Sequence, residues 1–189
     1  MRLEPSGTGN SAGSLTDMSL ARWSADLCAA GEALAGDTPL ILLACRAGAL
    51  LAARALADGL TADRLLLLQP VTGGKEYLRQ ARTRRMIQDK LTGDPPETHP
   101  REIEGQVLAE ALLADLEAAR LPDAPPIADT RIIQCSFNEK PVKEYADLLS
   151  RWNLPADSLR ALVHEPFWLP HSPGAYAALA AAIVEEMTA

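Results

Sequence analysis

Leu40-Ile41-Leu42-Leu43-Ala44-Cys45-Arg46-Ala47-Gly48, LILLACRAG, is the stretch on which the fold turns. Its first six residues are an apolar run of strand length without polar alternation, the pattern of a strand buried on both faces of a parallel sheet. Gly36-Asp37-Thr38-Pro39 precedes it as a turn, and a helical pattern over residues 47–58 follows, ending at Gly59, which suits a C′ position. An apolar strand that runs directly into a small-residue turn and then a helix has the shape of a nucleophile elbow, small-x-nucleophile-x-small. Ala44 and Gly48 take the two small positions, required because the turn is tight, and Arg46 takes the centre. A guanidinium stays protonated, so Arg46 is no nucleophile. Shifting the register by one makes Cys45 central but puts bulky Leu43 in the turn. Cys45 is therefore the weaker catalytic alternative, its other reading being a small buried thiol.

Working outward, residues 64–69 (RLLLLQ), 131–137 (RIIQCSF) and, more weakly, 159–164 (LRALVH) read as further strands. Helical patterns cover residues 18–35, with Thr16-Asp17 available as a cap, and residues 140–152 and 173–187. The alternation of helix and strand predicts an α/β fold, a mostly parallel sheet flanked by helices and joined by right-handed crossovers. Residues 71–129 break the rhythm. They contain no clear strand and two helical patterns, near 75–91 and 101–120, too much chain for a plain connection. They read as a helical lid insertion on a core made of residues 1–70 and 130–189.

The chain has 189 residues, of which 33 are Ala, 30 are Leu and only 8 are aromatic. A core of aliphatics and helix formers follows, and wholesale disorder is excluded at 48% hydrophobic residues. The net charge of −7 argues against nucleic acid as a partner, because phosphate recognition needs a basic face. Three widely spaced cysteines, Cys28, Cys45 and Cys135, without a CxxC pair suit neither a disulfide scaffold nor a Cys-based metal site. The first ten residues are no signal peptide, and the longest purely apolar run is far too short to span a bilayer. The expectation is a cytoplasmic protein with no integral membrane segment, no metal and no cofactor.

The remaining candidate chemistry follows the later strands. Glu139, after the 131–137 strand, lies where a hydrolytic triad would hold its acid, or else is a helix-N-terminal carboxylate favoured by the helix dipole. His171, about 30 residues further on, stands in the loop where a catalytic histidine would lie; His164 falls within the last strand, and His99 within the insertion. Lys75, Arg79, Arg82, Arg84, Arg85 and Lys90 form a basic cluster, read either as a solvated helix face or as a patch for an anionic headgroup, polysaccharide or acyl carrier. The glycine-rich 5–13 segment lacks the GK[ST] ending of a phosphate loop.

Together these pieces resemble the α/β hydrolases. LEPSGTGNS at residues 3–11 occupies the slot of an Asp-x-x-Gly-x-Gly-x-Ser loop, with Glu4 in place of Asp. LILLACRAGALLA at 40–52 and RLLLLQPVTGGKEYL at 64–78 are similar to the exosortase A system-associated hydrolase 2 family, whose members also carry Arg at the elbow and continue with a Gln-Pro-Val…Gly-Lys segment. Phe167-Trp168 matches a Phe-Trp pair near the end of those sequences, and the similarity runs along nearly the whole chain. The resemblance implies a bacterial protein tied to exopolysaccharide and protein-sorting loci. It implies ester or thioester hydrolysis by fold only, with a small acyl or anionic ligand, and puts Arg46, Glu139 and His171 at the positions of a degenerate triad. It further implies that the N-terminal strands of the superfamily are missing, so that the 40–45 strand becomes a bare apolar edge prone to self-association. A second class of function stays open: a non-catalytic binding module in which Arg46 grips a carboxylate or phosphate.

Overall fold

The computed structural model describes residues 1–34, 36–93, 99–103, 105–168 and 176–188. In chain order the elements are α1 (Leu20–Leu34), β1 (Ile41–Cys45), α2 (Gly48–Ala57), β2 (Arg64–Leu68), α3 (Gly74–Thr92), β3 (Glu102–Ile103), β4 (Gln106–Val107), α4 (Glu110–Ala118), β5 (Thr130–Ser136), α5 (Lys143–Trp152), β6 (Leu159–Val163) and α6 (Ala177–Thr188). The chain forms two compact units, one of residues 36–49, 61–70 and 122–189, the other of residues 1–35, 50–60 and 71–121.

The first unit holds a four-stranded, wholly parallel sheet in the order β1-β2-β5-β6. This is the α/β architecture that the apolar runs imply. Leu65, Leu66 and Leu67 of β2 have no exposed surface, nor does Ile133 of β5, which is why these central strands tolerate no polar alternation. Leu66, Leu68, Ile133 and Cys135 pack with Leu179, Ile183 and Met187 of α6. The alternate residues project to the opposite face, where fully buried Gln134 receives the start of α5 through a 2.8 Å hydrogen bond from the Val142 N–H. On α5, Tyr145, Leu148, Leu149 and Trp152 are buried, a strict i, i+3, i+4, i+7 stripe. Arg64, Arg131 and Arg160, on three adjacent strands, meet Asp129, Glu185 and Glu186. Arg64 also donates to the Glu186 carbonyl at 2.7 Å, a cation at the C-terminal end of α6 where the helix dipole favours one.

In the second unit α1, α3, the β3–β4 hairpin and α4 share a core of Met18, Leu20, Leu78, Ala81, Ile103, Leu108, Leu112 and Leu116. Two expectations are corrected here. The helix expected over residues 101–120 begins only at Glu110; the residues before it form an antiparallel hairpin. Gly105, at φ +82°, permits its turn, and Ile103 and Val107 suit strands. The cap of α1 is not Thr16-Asp17, which closes a 3₁₀ turn (Leu15–Asp17). The first N–H groups go to the Ser19 hydroxyl (from Arg22, 3.1 Å) and to the Asp115 carboxylate (from Leu20, 3.0 Å).

The glycine-rich loop also lies in this unit and wraps a carboxylate of its own. The Asn10 N–H donates to Glu4 at 2.9 Å and Arg2 pairs with the same side chain, which together lower the Glu4 pKa. Gly9 sits at φ +51°, and a Cβ there would collide with the Glu4 carboxyl. The place a phosphate would take in a phosphate-binding loop is filled by Glu4.

Candidate functional site at the C-terminal ends of the strands

The carboxyl ends of parallel strands collect binding groups in open α/β sheets, because the loops diverge there. Four loops meet this condition: those after β1, β2, β5 and β6. Arg46 is the first residue beyond β1. Its backbone is left-handed at φ +52°, its N–H donates to the Leu68 carbonyl at 3.0 Å, and its own carbonyl accepts from Ala49 at 3.1 Å, turning the chain into α2. The turn from β1 into α2 is therefore tight and left-handed at Arg46, a conformation unfavourable for a non-glycine residue. Ala44 is buried beside it, as a tight turn requires. Gly48 is not so constrained: a Cβ there meets nothing within 4 Å, so the steric reason for a small residue at that position does not hold.

The Arg46 guanidinium lies over the indole of Trp168, 4.3 Å from the ring centroid, and donates to the Gln69 carbonyl at 3.3 Å. Trp168 is itself set edge-on to Phe167, with centroids 5.1 Å apart. An ion pair between Arg46 and Glu139, the arrangement a degenerate triad would suggest, does not form. Glu139 is exposed in the turn after β5 and makes no ion pair among the described residues. The reason is local. Gln134 donates to the Ser136 hydroxyl (2.9 Å) and the Lys140 carbonyl (3.0 Å), and Ser136 donates to the Asn138 carbonyl (2.6 Å). These bonds curl the 136–142 loop on itself and leave Glu139 at its tip.

Gln69 also has a left-handed backbone, φ +44°. Its N–H donates to the Ile133 carbonyl and its side-chain oxygen accepts from the Cys135 N–H, both at 2.7 Å, so one residue extends the β2–β5 ladder past the end of β2. His164 continues β6 through a 3.0 Å bond from its N–H to the Ser136 carbonyl and stacks on Tyr176 at 5.9 Å. His171 lies outside the described residues.

No described side chain here combines a nucleophile with a base. Ser136 is engaged within its own loop. Cys45 is exposed at the strand's end, yet desolvation raises its thiol pKa, with the Arg46 charge offsetting part of the effect. The two observations pull in opposite directions on reactivity, and the raised pKa governs it, since the thiolate is the nucleophile. The buried Cys135 thiol is pushed up to about 11 by burial and by Cys45. Among the described residues no three His, Cys, Asp or Glu side chains are grouped to hold a metal, and no helix is long and apolar enough to cross a membrane.

The basic cluster falls on α3 of the other unit and is not one uniform stripe. Arg79 pairs with Glu76 at 2.5 Å and Arg85 with Asp89 at 2.6 Å, while Lys75, Arg82 and Lys90 are exposed. Sequence reasoning missed Gln69, Gln134 and the role of Trp168. The available signal was a lone polar residue inside or just after an apolar run, which must find hydrogen-bond partners if the run is buried. No family model matches the chain, and comparison with curated proteins returns no match.

Proposed function

We propose that this chain is a hydrolase-like module of the kind the elbow and the Gln-Pro-Val…Gly-Lys segment suggest, in which the elbow serves to bind an anion and not to catalyse. The observation that carries this reading is Arg46: a guanidinium at the left-handed turn after β1, with its Cζ 4.3 Å from the Trp168 ring centroid and one N–H on the Gln69 carbonyl. A guanidinium recognises a carboxylate or phosphate through hydrogen bonds made in its plane, and this reading assigns that chemistry to Arg46. The start of α2, two residues on, favours the same charge. Ester or thioester hydrolysis is the less supported reading, because acyl transfer needs a nucleophile and a base together and the elbow presents neither. A cytoplasmic accessory protein of a surface-polymer locus is the setting that the family resemblance suggests.

The test is thermal unfolding with added phosphate or acetate at constant ionic strength, on wild type and Arg46→Met, beside an assay with short-chain p-nitrophenyl esters. The expected outcome is an anion-dependent rise in Tm for the wild type alone and no ester turnover above buffer. Turnover abolished by Cys45→Ser would restore the catalytic reading, and an equal anion response in Arg46→Met would remove Arg46 from the site.

A further inference from the structure

α3 carries its charge against the trend of the chain. Its 19 residues hold six Lys and Arg and two acids, Glu76 and Asp89, a net charge of +4, while the whole chain stands at −7. The helix has an inner and an outer side. Gly74, Leu78 and Ala81 are buried, the last two in the core with Ile103, Leu112 and Leu116. Asp89 pairs with Arg85 at 2.6 Å and keeps only 11% of its side chain exposed, so it puts little negative charge on the outer side. There the last three turns present Arg82, Met86, Ile87, Lys90 and Leu91, all exposed. Met86, Ile87 and Leu91 stand 53%, 51% and 82% open to solvent, three large apolar side chains within six residues, where a helix surface normally scatters them singly. Arg82 and Lys90 make no ion pair among the described residues.

We propose that this outer side of α3 docks on an anionic lipid bilayer, with the helix lying in the plane of the interface. Charge complementarity names the sign of the surface, since the face offers cations and no exposed acid along its last three turns. The order of side chains around the helix then favours a bilayer over an acidic protein. Arg82, Met86 and Lys90 follow one another at i, i+4 spacing along one stripe, and Thr83, Ile87 and Leu91 along the next. Lys90 therefore stands between Met86 and Leu91, and the apolar residues spread over roughly 140° of arc with a cation among them. A helix that docks in a protein groove lines up its apolar anchors as one ridge, and a cation inside that ridge would be buried with the groove's apolar wall. A bilayer interface accepts the mixed face: the stems of Arg82 and Lys90 lie along apolar ground and lift their charges to the phosphates, while Met86, Ile87 and Leu91 reach the acyl boundary. α3 is not apolar enough to cross a bilayer, so it lies on one. With each cation near the surface worth about fivefold in partition, the attachment is reversible and salt-sensitive.

Flotation of the whole chain with vesicles tests this, using phosphatidylcholine alone and phosphatidylcholine with about a third phosphatidylserine. Wild type is expected to float with the anionic vesicles at low salt, to be released at high salt, and to ignore the neutral ones. The double variant Arg82→Gln, Lys90→Gln is expected to partition about 25-fold less, from two charges at about fivefold each. Ile87→Ser with Leu91→Ser is expected to lose about tenfold or more, because serine contributes nothing at the acyl boundary. All four positions are exposed, so both double variants should keep the wild-type circular dichroism spectrum. The proposal is overturned by the absence of binding to anionic vesicles, by equal binding to neutral ones, or by wild-type binding of the Gln variant. Wild-type binding of the Ser variant also overturns it, since the charges would then adhere without the apolar face. Chains that associate without vesicles and cease to do so in the Gln variant would assign the face to the acidic surface of a second copy, which overturns it as well. None of these outcomes depends on the anion site at Arg46.

Discussion

Arg46 carries two opposed costs and gains. A left-handed backbone is disfavoured for any residue with a Cβ by roughly 1–2 kcal/mol, while the stacking on Trp168 and the bond to Gln69 favour it. The two terms can be separated. Arg46→Gly relieves the backbone and Arg46→Ala does not, so the glycine variant is expected to be more stable than the alanine variant by about 1 kcal/mol in urea unfolding. Equal stabilities would mean that the turn opens when the guanidinium is lost. The stacking term is read by a double-mutant cycle of Arg46→Met with Trp168→Leu. For this half-buried pair the expected coupling is about 0.5–1 kcal/mol, and a coupling near zero would show that the contact is incidental.

At the scale of elements, two glycines at helix N-termini have opposite standing. Gly74 opens α3 where that helix meets α4, and a Cβ there would overlap the Leu116 carbonyl, while its N–H donates to the Ala119 carbonyl at 2.9 Å. Gly74→Ala is expected to cost about 3 kcal/mol or more, because backbone cannot yield as a side chain does. Gly48 meets open space at a negative φ, so Gly48→Ala is expected to stabilise α2 by about 0.4–1 kcal/mol. Thermal melts of the two variants check both signs. The end of α2 is joined to α1 through Asp58, which accepts from buried Ser24 and from Arg54, each at 2.7 Å. The Ser24 bond first, and then Arg54, hold its pKa below the ordinary 3.8. The stabilisation from the ionised carboxylate is therefore complete above pH 3.8 and is lost as the pH falls through the lower folded value. The stability difference between wild type and Asp58→Asn should be full at neutral pH and shrink below that value. A difference that stays constant down to strongly acid pH would mean that the carboxylate's charge plays no part.

For the whole molecule the governing quantities are a net charge of −7 and a pI near 5.0. Two copies repel at neutral pH through their net charge. Association is therefore expected to strengthen with added salt, which screens the repulsion, and as the pH is lowered toward 5.0. Light scattering across salt and pH checks both. Association that weakens with salt would point instead to an attractive contact between the basic α3 face and acidic surface.

The strands were legible because each is a continuous apolar run closed by turn residues: residues 40–45 became Ile41–Cys45, 64–69 became Arg64–Leu68, and 131–137 became Thr130–Ser136. Burial on both faces of a parallel sheet imposes that composition residue by residue, so it is written locally. The tight turn at Arg46 was legible for the same reason, as a strand, a turn and a helix start in nine consecutive residues. The β3–β4 hairpin was not, because two-residue strands carry no periodicity and the hairpin rests on Gly105. The partner of Arg46 was not legible either. The positions of a degenerate triad pointed to Glu139, but Gln134, which donates two hydrogen bonds and accepts one, holds the Glu139 loop closed. Trp168, 122 positions along the chain, takes the guanidinium instead. The sequence by itself determined which segments become buried strands and helices, because that depends on the transfer of each side chain from water. Only the tertiary structure decided what Arg46 touches, because that depends on how residues far apart in the chain come together.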